Sequence, residues 1–178
     1  MSALKISLKQ FFYISSILVL TAAFIYYFIP EDSLPQGLTI DRLEINKSKR
    51  ELVAFSNQQV VKRYFISLGR NPGGDKKFQG DNKTPEGRYF IDSKNPNGSY
   101  FKNLGISYPN RGDRMLAKRS GKNPGGDIKI HGLKNGTGFI GKFHRLFNWT
   151  AGCIAVTDQE MDELYKTVDI GTQIIITP

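Results

Sequence analysis

The sequence predicts a mainly β, mixed-sheet domain, sandwich-like or barrel-like, with one or two short helices, carried behind a single N-terminal transmembrane helix. Three observations predict it. Phe11 to Ile29 is an uncharged run whose only polar members are Ser15, Ser16 and Thr21, long enough to cross a hydrocarbon layer of about 30 Å as a helix. Beyond it, short stretches of β-branched and aromatic residues recur between turns rich in glycine, proline and asparagine, which is the pattern of strands. Only two segments carry helix signals. A chain of 178 residues leaves room for one such domain and its appendage.

The apolar run sets the compartment. Lys5 and Lys9 precede it, and Pro30, Glu31 and Asp32 follow it, so the positive-inside rule assigns residues 1–10 to the cytoplasm and everything after the span to the outside. A cleaved signal peptide is the rival reading, with Thr21-Ala22-Ala23 as its small-residue site. The apolar run continues through Phe24 to Ile29 beyond that point, which favours an uncleaved anchor over residues 11–29. Both readings export the globular part, and a single-pass protein of the inner membrane with its domain in the periplasm is the expectation.

Residues 30–37, with Pro30 and Pro35, read as a linker, and residues 38–178 as one domain. Leu38 to Ile45 alternates loosely. Glu51 to Phe55 and Val60 to Leu68 read as two strands joined by the turn Ser56-Asn57-Gln58-Gln59, which makes a three-stranded meander. Gly69 to Pro85 is a long polar loop, of a length that is often functional. Arg88 to Ile91 is a strand, Asn95 to Gly98 a turn, and Tyr100 to Tyr108 a further strand. Asp113 to Ser120 is a short helix ended by Gly121 and Pro124.

Ile128 to His131 alternates as a strand and presents a histidine at its end. Gly132 to Trp149 is a glycine-rich loop, basic and aromatic in its second half. Ile154 to Val156 is a short buried strand. Thr157 with Glu160 is a capping box opening an amphipathic helix through Met161, Leu164, Tyr165 and Val168. Gly171 ends that region, and Gln173 to Thr177 is the final strand. The sequence Asn-Pro-Gly-Gly-Asp occurs at 71–75 and again at 123–127. No other similarity shares that register, so the echo reads as turn chemistry, with both loops at the rim of one site as the alternative.

Composition narrows the partners. Past residue 30 the chain carries 23 basic and 16 acidic side chains. No nucleic-acid module appears, and export argues against nucleic acid; an anionic envelope polymer or a carboxylate-bearing substrate fits better.

The only cysteine is Cys153. A lone thiol is most often a small core hydrophobe, but an unpaired cysteine in an exported domain marks a candidate reactive thiol. Gly152 before it and Ile154-Ala155-Val156 after it describe a tight approach running into a buried strand. The thiolate is the nucleophile and needs a base. Two histidines are present, His131 and His144. His131, at a strand end, can be held rigidly, whereas His144 lies inside the loop. A carbonyl such as that of Gly132 can orient a histidine in place of a carboxylate. The N–H groups around Gly152 and Cys153 are the expected donors to an oxyanion. Two histidines and one cysteine match no zinc signature, so neither metal nor cofactor is expected. Arg145, Trp149 and Thr150, with Lys142, are the candidate substrate contacts, because a guanidinium can hold a carboxylate. Tyr108, Arg70 and Asn71 are further residues that a cleft could use.

Three motifs carry a resemblance: Ile130-His131-Gly132, Thr150-Ala151-Gly152-Cys153, and Thr84-Pro85-Glu86-Gly87-Arg88-Tyr89-Phe90-Ile91. Together they resemble the catalytic domain of the L,D-transpeptidases (the YkuD, or ErfK/YbiS/YcfS/YnhG, family), and the likeness runs from about Thr39 to Thr177. The Trp-Thr-Ala-Gly-Cys form is closest to the YafK-like branch. The resemblance implies a YkuD-like β-sandwich or barrel with the cysteine in a cleft under a loop. It implies that Cys153 attacks a peptidoglycan stem peptide at its third residue and expels the terminal D-alanine. His131 would be the base, Gly132 its orienter, and Gly152 and Cys153 the oxyanion donors. The thioester would then pass to an amine, in wall cross-linking or protein anchoring. Two positions depart from the family: Ala151 stands where a histidine is usual, and Ala155 where an arginine is frequent.

The implied partners are peptidoglycan stem peptides, a wall-linked lipoprotein, and the membrane through the N-terminal helix. Two other functions share the motifs. One is a thiol hydrolase that cleaves wall cross-links or wall–lipoprotein links, because water can take the thioester as an amine does. The other is a non-catalytic wall-binding module whose basic loop grips the polymer.

Overall fold

The computed structural model describes residues 7–178, in two units that meet between Asp32 and Ser33. The first is helix α1 (Leu8–Phe28). At about 1.5 Å per residue its 21 residues span roughly 32 Å, so by length and composition the helix is long and apolar enough to cross a membrane. It begins a turn before the predicted Phe11 because Ser7 and Gln10 form a reciprocal capping box. Residues 1–6 of the predicted cytoplasmic segment lie outside the described residues.

The second unit is a mixed sheet of eight strands. These are β1 (Ile40–Asn46), β2 (Glu51–Ser56), β3 (Gln59–Phe65), β4 (Gly87–Asn95), β5 (Asn103–Ile106), β6 (Lys129–His131), β7 (Ile154–Ala155) and β8 (Val168–Thr177). Their order is β3-β2-β1-β8-β4-β5-β6-β7. The predicted meander is there: β1, β2 and β3 pair antiparallel in sequence. The C-terminal β8 then joins parallel to β1 and antiparallel to β4, tying the chain's two halves together. At the far edge β5 and β6 are antiparallel and β6 and β7 parallel.

Alternation explains which face is buried. Leu43 and Ile45 of β1, with Ile174 and Ile176 of β8, are almost fully buried and pack with Leu52, Ile91, Leu104 and Ile130. Each such side chain contributes about 1.5–3 kcal/mol. Tyr64 and Tyr89 are the largest fully buried side chains, and each hydroxyl reaches a carboxylate, Glu163 and Asp113 respectively.

Helix α2 (Arg111–Arg119) starts two residues before the predicted Asp113, because Asn110 caps the N–H groups of Gly112 and Asp113. Helix α3 (Asp158–Thr167) opens on the Thr157–Glu160 box that the sequence shows. The last strand is longer than predicted. Gly171, expected as a terminator, sits inside β8 at φ +96, where the register against β1 slips between Ile40 and Arg42. A glycine at a bulge accommodates the extra residues without ending the strand. The predicted strand over 100–108 narrows to β5. The loop 132–149 contains a 3-10 stretch, Gly138–Leu146, kinked at Gly141.

Candidate active site

The site is built on the β6–β7 pair. Ile130 lies opposite Ile154 and His131 opposite Ala155, in parallel. Both isoleucines are fully buried in the core. Side chains alternate along a strand, so His131 and Cys153 fall together on the opposite face. A strand rise of about 3.3 Å and a strand spacing of about 4.8 Å put their backbones about 8 Å apart on the diagonal. On its other side β7 is braced by Ser67, which exchanges two backbone hydrogen bonds with Ala155.

The turn before the thiol is held by Thr150, one of the predicted substrate contacts. Its buried hydroxyl donates to the Cys153 carbonyl at 2.7 Å and accepts the Gly152 N–H at 3.1 Å. That N–H, expected to serve an oxyanion, is therefore engaged within the turn. Gly152 instead matters for its shape. Its φ is +135, and a Cβ there would come within 2.7 Å of the Lys83 carbonyl and 3.1 Å of Ile128. No group among the described residues accepts from the Cys153 N–H, which leaves it as the available donor on this turn.

The half-buried thiol donates to the Asp127 carbonyl at 3.4 Å. Asp127 holds a left-handed φ of +57, uncommon for a residue with a side chain. Burial pushes the thiol above its ordinary range. The Lys129 N–H and the Lys129 and Lys76 charges oppose this, and the Asp127 carboxylate adds to it.

His131 is 4% exposed. Its Nδ1 lies 2.7 Å from the Gly132 carbonyl. A carbonyl can only accept, so Nδ1 carries the proton and Nε2 keeps a lone pair for a base's work. Burial pushes the imidazole below its ordinary range; the Gly132 carbonyl opposes this and the Lys129 charge reinforces it. Thiol and imidazole thus both rest neutral near pH 7. Gly132 has no room for a side chain: a Cβ would meet Asp158 Oδ1 at 2.7 Å and the Phe101 carbonyl at 2.8 Å. His144, the other histidine, is buried against Ser67 on the far side of β7 from His131.

Two loops rim the site, and each carries one copy of Asn-Pro-Gly-Gly-Asp. The first, residues 69–86, is held by Lys47, whose buried ammonium donates to the carbonyls of Gly74 and Thr84 and to Glu86. Inside it Asp81 accepts from Lys76 and from the N–H groups of Lys77, Phe78 and Lys83. Burial would raise its carboxyl, but these donors outweigh burial and hold it below the usual carboxylate range. The second loop meets the first where the Gln79 N–H donates to the Asn123 carbonyl at 2.8 Å. It is also held by Tyr108, whose hydroxyl donates to Pro124. Tyr108 is thus a buried support for the loop that presents Asp127 to the sulfur. Of the other cleft candidates, the Arg70 N–H donates to Thr150, and the Asn71 N–H to Asn82.

One predicted contact is engaged within the protein. The Arg145 guanidinium is buried and pairs with Glu160 at 2.8 Å, both side chains less than a tenth exposed. It anchors the loop to α3. Trp149 is half-buried, with its ring against His131. Sequence reasoning missed Tyr100, Lys47 and Asp127. Only Asp127 left a signal, through its repeated motif. Among the described residues, no group of three or more His, Cys, Asp or Glu is placed to hold a metal ion.

The comparisons with known proteins agree in direction. The sequence profile of the YkuD family, the L,D-transpeptidase catalytic domain, matches residues 40–176. Among solved structures, the helical cell shape determining protein Pgp2 of Campylobacter jejuni is 27% identical with a TM-score of 0.56, over 81% of this chain and 50% of that one. The L,D-transpeptidase of Xylanimonas cellulosilytica is 18% identical with a TM-score of 0.52, over 88% of this chain and 68% of that one, a likeness of fold. The same holds for Bd1075 of Bdellovibrio bacteriovorus, at 24% identity and a TM-score of 0.53, over 82% of this chain and 52% of that one. The chain spans about half the length of the Pgp2 structure it matches. No curated protein matches it.

Proposed function

This chain belongs to the YkuD family of L,D-transpeptidase catalytic domains, and from that premise we propose that it is a cysteine acyltransferase acting on peptidoglycan stem peptides in the cell envelope. The observation that carries the reading is the His131–Cys153 diagonal across β6 and β7, with Nδ1 of the histidine committed to the Gly132 carbonyl.

The family likeness supplies the substrate of this proposal, and the geometry supports the roles of the side chains. As the thiol approaches the carbonyl carbon of the stem peptide's third residue, its proton passes to Nε2 of His131 and the sulfur electron pair forms the new C–S bond. The carbonyl π pair moves onto oxygen, where the Cys153 N–H can donate to it. Collapse expels the terminal D-alanine, whose nitrogen takes the proton from the imidazolium. An amine acceptor then attacks the thioester, His131 removing its proton, and the thiol is restored. Both groups rest neutral, so the proton moves only as the bond forms and no standing thiolate is exposed to oxidants.

Helix α1 serves as the membrane anchor in this proposal, with the domain on the periplasmic side. The 27% identity with a protein described as determining helical cell shape supports a role in shaping the wall.

The test is mass spectrometry of the full chain in detergent, incubated with a disaccharide tetrapeptide, beside Cys153→Ala. A cross-linked dimer with loss of D-alanine, absent from the variant, supports transpeptidation. Tripeptide alone assigns the thioester to water and makes the protein a hydrolase. If neither product forms and wall–lipoprotein material is also left intact, the acyl-transfer reading fails and wall binding alone remains.

A further inference from the structure

His131 has to carry a positive charge inside the protein, and no carboxylate hydrogen-bonds to it among the described residues. Its Nδ1 partner is the neutral Gly132 carbonyl. The groups that face it offer little else. Lys129, on its own strand, is a cation and repels a second one. Cys153, before β7, is a thiol. The Asp158 carboxylate of α3 is turned to the backbone, where Oδ1 accepts the Leu133 N–H at 2.7 Å. Thr150, beside Trp149, spends its hydroxyl on the cysteine turn.

What surrounds the ring is aromatic. Tyr100 lies with its centroid 4.3 Å from that of His131 and its plane tilted by 40°. Trp149 stands at 5.7 Å and 67°. The two aromatic rings stack on each other at 6.0 Å and 29°, so the three rings form one cluster. No acceptor among the described residues takes the buried indole N–H of Trp149, so ring packing rather than a hydrogen bond sets its position. The turn bearing Tyr100 is bridged to Lys134, beyond the Gly132 turn.

We propose that Tyr100 and Trp149 form an aromatic clamp that stabilises the imidazolium of His131 while it holds the cysteine proton, taking over the electrostatic part of a triad carboxylate whose place at Nδ1 the Gly132 carbonyl fills here. The negative faces of aromatic rings attract a cation, most strongly where water is excluded. A clamp of this kind differs from a carboxylate in one useful respect. It is uncharged and so weaker, raising the proton affinity of the imidazole by less than a buried carboxylate would. Tyr100 and Trp149 are positioning residues here, acting on the reaction through His131, and the inference rests on His131 being the base of the proposed reaction.

The experiment is NMR titration of the full chain, labelled at histidine and held in detergent micelles, as wild type, Tyr100→Leu, Tyr100→Phe and Trp149→Leu, with kcat and KM measured on the same samples. Leucine keeps the imidazole buried but has no π face. The expected result is a His131 pKa lowered by about one unit in Tyr100→Leu, with kcat about tenfold lower at neutral pH and KM within about twofold. Tyr100→Phe should return both values to near wild type. Trp149→Leu should shift them the same way by less, and it carries the comparison if Tyr100→Leu does not fold. The His144 signals, from across β7, report whether the domain is intact. A His131 pKa that rises toward about 6.5 would mean that the rings only exclude water, and an unchanged pKa would mean that they do neither; both overturn the clamp. The titration needs no turnover. A clamp-dependent pKa in a chain that transfers no acyl group would refute the proposed reaction alone, and normal transfer with a clamp-independent pKa would refute the clamp alone.

Discussion

Arg145 and Glu160 meet at 2.8 Å inside the protein, a buried ion pair between the loop after β6 and the first turn of α3. Glu160 also caps its own helix by accepting from the N–H and hydroxyl of Thr157, and Arg145 receives Arg50 on its carbonyl at 2.5 Å. The pair therefore locks three segments that converge just behind the cysteine strand.

Removing one partner strands the other's charge in a dry site, which costs about 3–5 kcal/mol. Arg145→Met should lower the free energy of unfolding in urea by that amount, and Glu160→Gln should do so by less because it keeps a capping oxygen. At temperatures where Arg145→Met stays folded, KM for the stem peptide should change little. A large rise in KM at unchanged stability would return Arg145 to the role of substrate contact.

Thr150 offers a sharper separation of shape from chemistry. Its hydroxyl satisfies the Gly152 N–H and the Cys153 carbonyl together. Thr150→Val is nearly isosteric and leaves both groups unsatisfied, at about 1–3 kcal/mol. It should slow alkylation of Cys153 by iodoacetamide and acyl transfer by similar factors, of tenfold or more, because the turn that aims the sulfur relaxes. Thr150→Ser should restore most of each rate. Equal rates in Val and wild type would mean that the turn is held by the Gly152 backbone alone.

The ammonium of Lys47 connects Gly74, Thr84 and Glu86 from beneath the first rim loop. Lys47→Met keeps the stem and removes all three bonds. Hydrogen exchange should then speed at least tenfold at the amides of Lys77, Phe78 and Lys83, which report the loop, and stay unchanged at Leu43 and Ile174 in the central sheet. Unaltered loop exchange would show that Asp81 alone organises the segment.

These residues also show what the sequence could and could not convey. Strands with one buried face were legible, since Leu43, Ile45, Ile174 and Ile176 alternate as they must, and the Thr157–Glu160 box marks the start of α3. His131 and Cys153 stood out because their residue types are scarce. Tyr100 did not, because its partnership with His131 depends on a turn returning across β5, and one tyrosine among eight carries no mark of that. Lys47 carried no signal, because lysine is almost always exposed and its burial comes from three oxygens that are distant in sequence. Arg145 shows the converse. A guanidinium beside a candidate site suggests a carboxylate ligand, and here the carboxylate came from the protein. Gly171 was read as a stop because local chemistry cannot tell a terminator from a bulge in a strand that β1 and β4 hold on both sides.

The resting charges of the site predict how stability follows pH. The imidazole of His131 is pushed down by burial, so the unfolded chain takes up a proton near its ordinary value of about 6.5 before the folded chain does. In that range the unfolded state binds more protons, and stability falls as pH drops below about 6.5. The thiol of Cys153 is pushed up by burial, so the unfolded chain loses its proton first, and stability falls as pH rises above about 8.5. The expected profile is a plateau between those limits, read by urea unfolding of the full chain across pH. Cys153→Ala should extend the plateau upward and leave the acid side unchanged; His131→Gln should flatten the acid side only. A thiol already ionised at pH 7 would behave otherwise. Its alkylation rate would be flat from pH 7 to 9, whereas a neutral resting pair requires that rate to keep climbing through this interval.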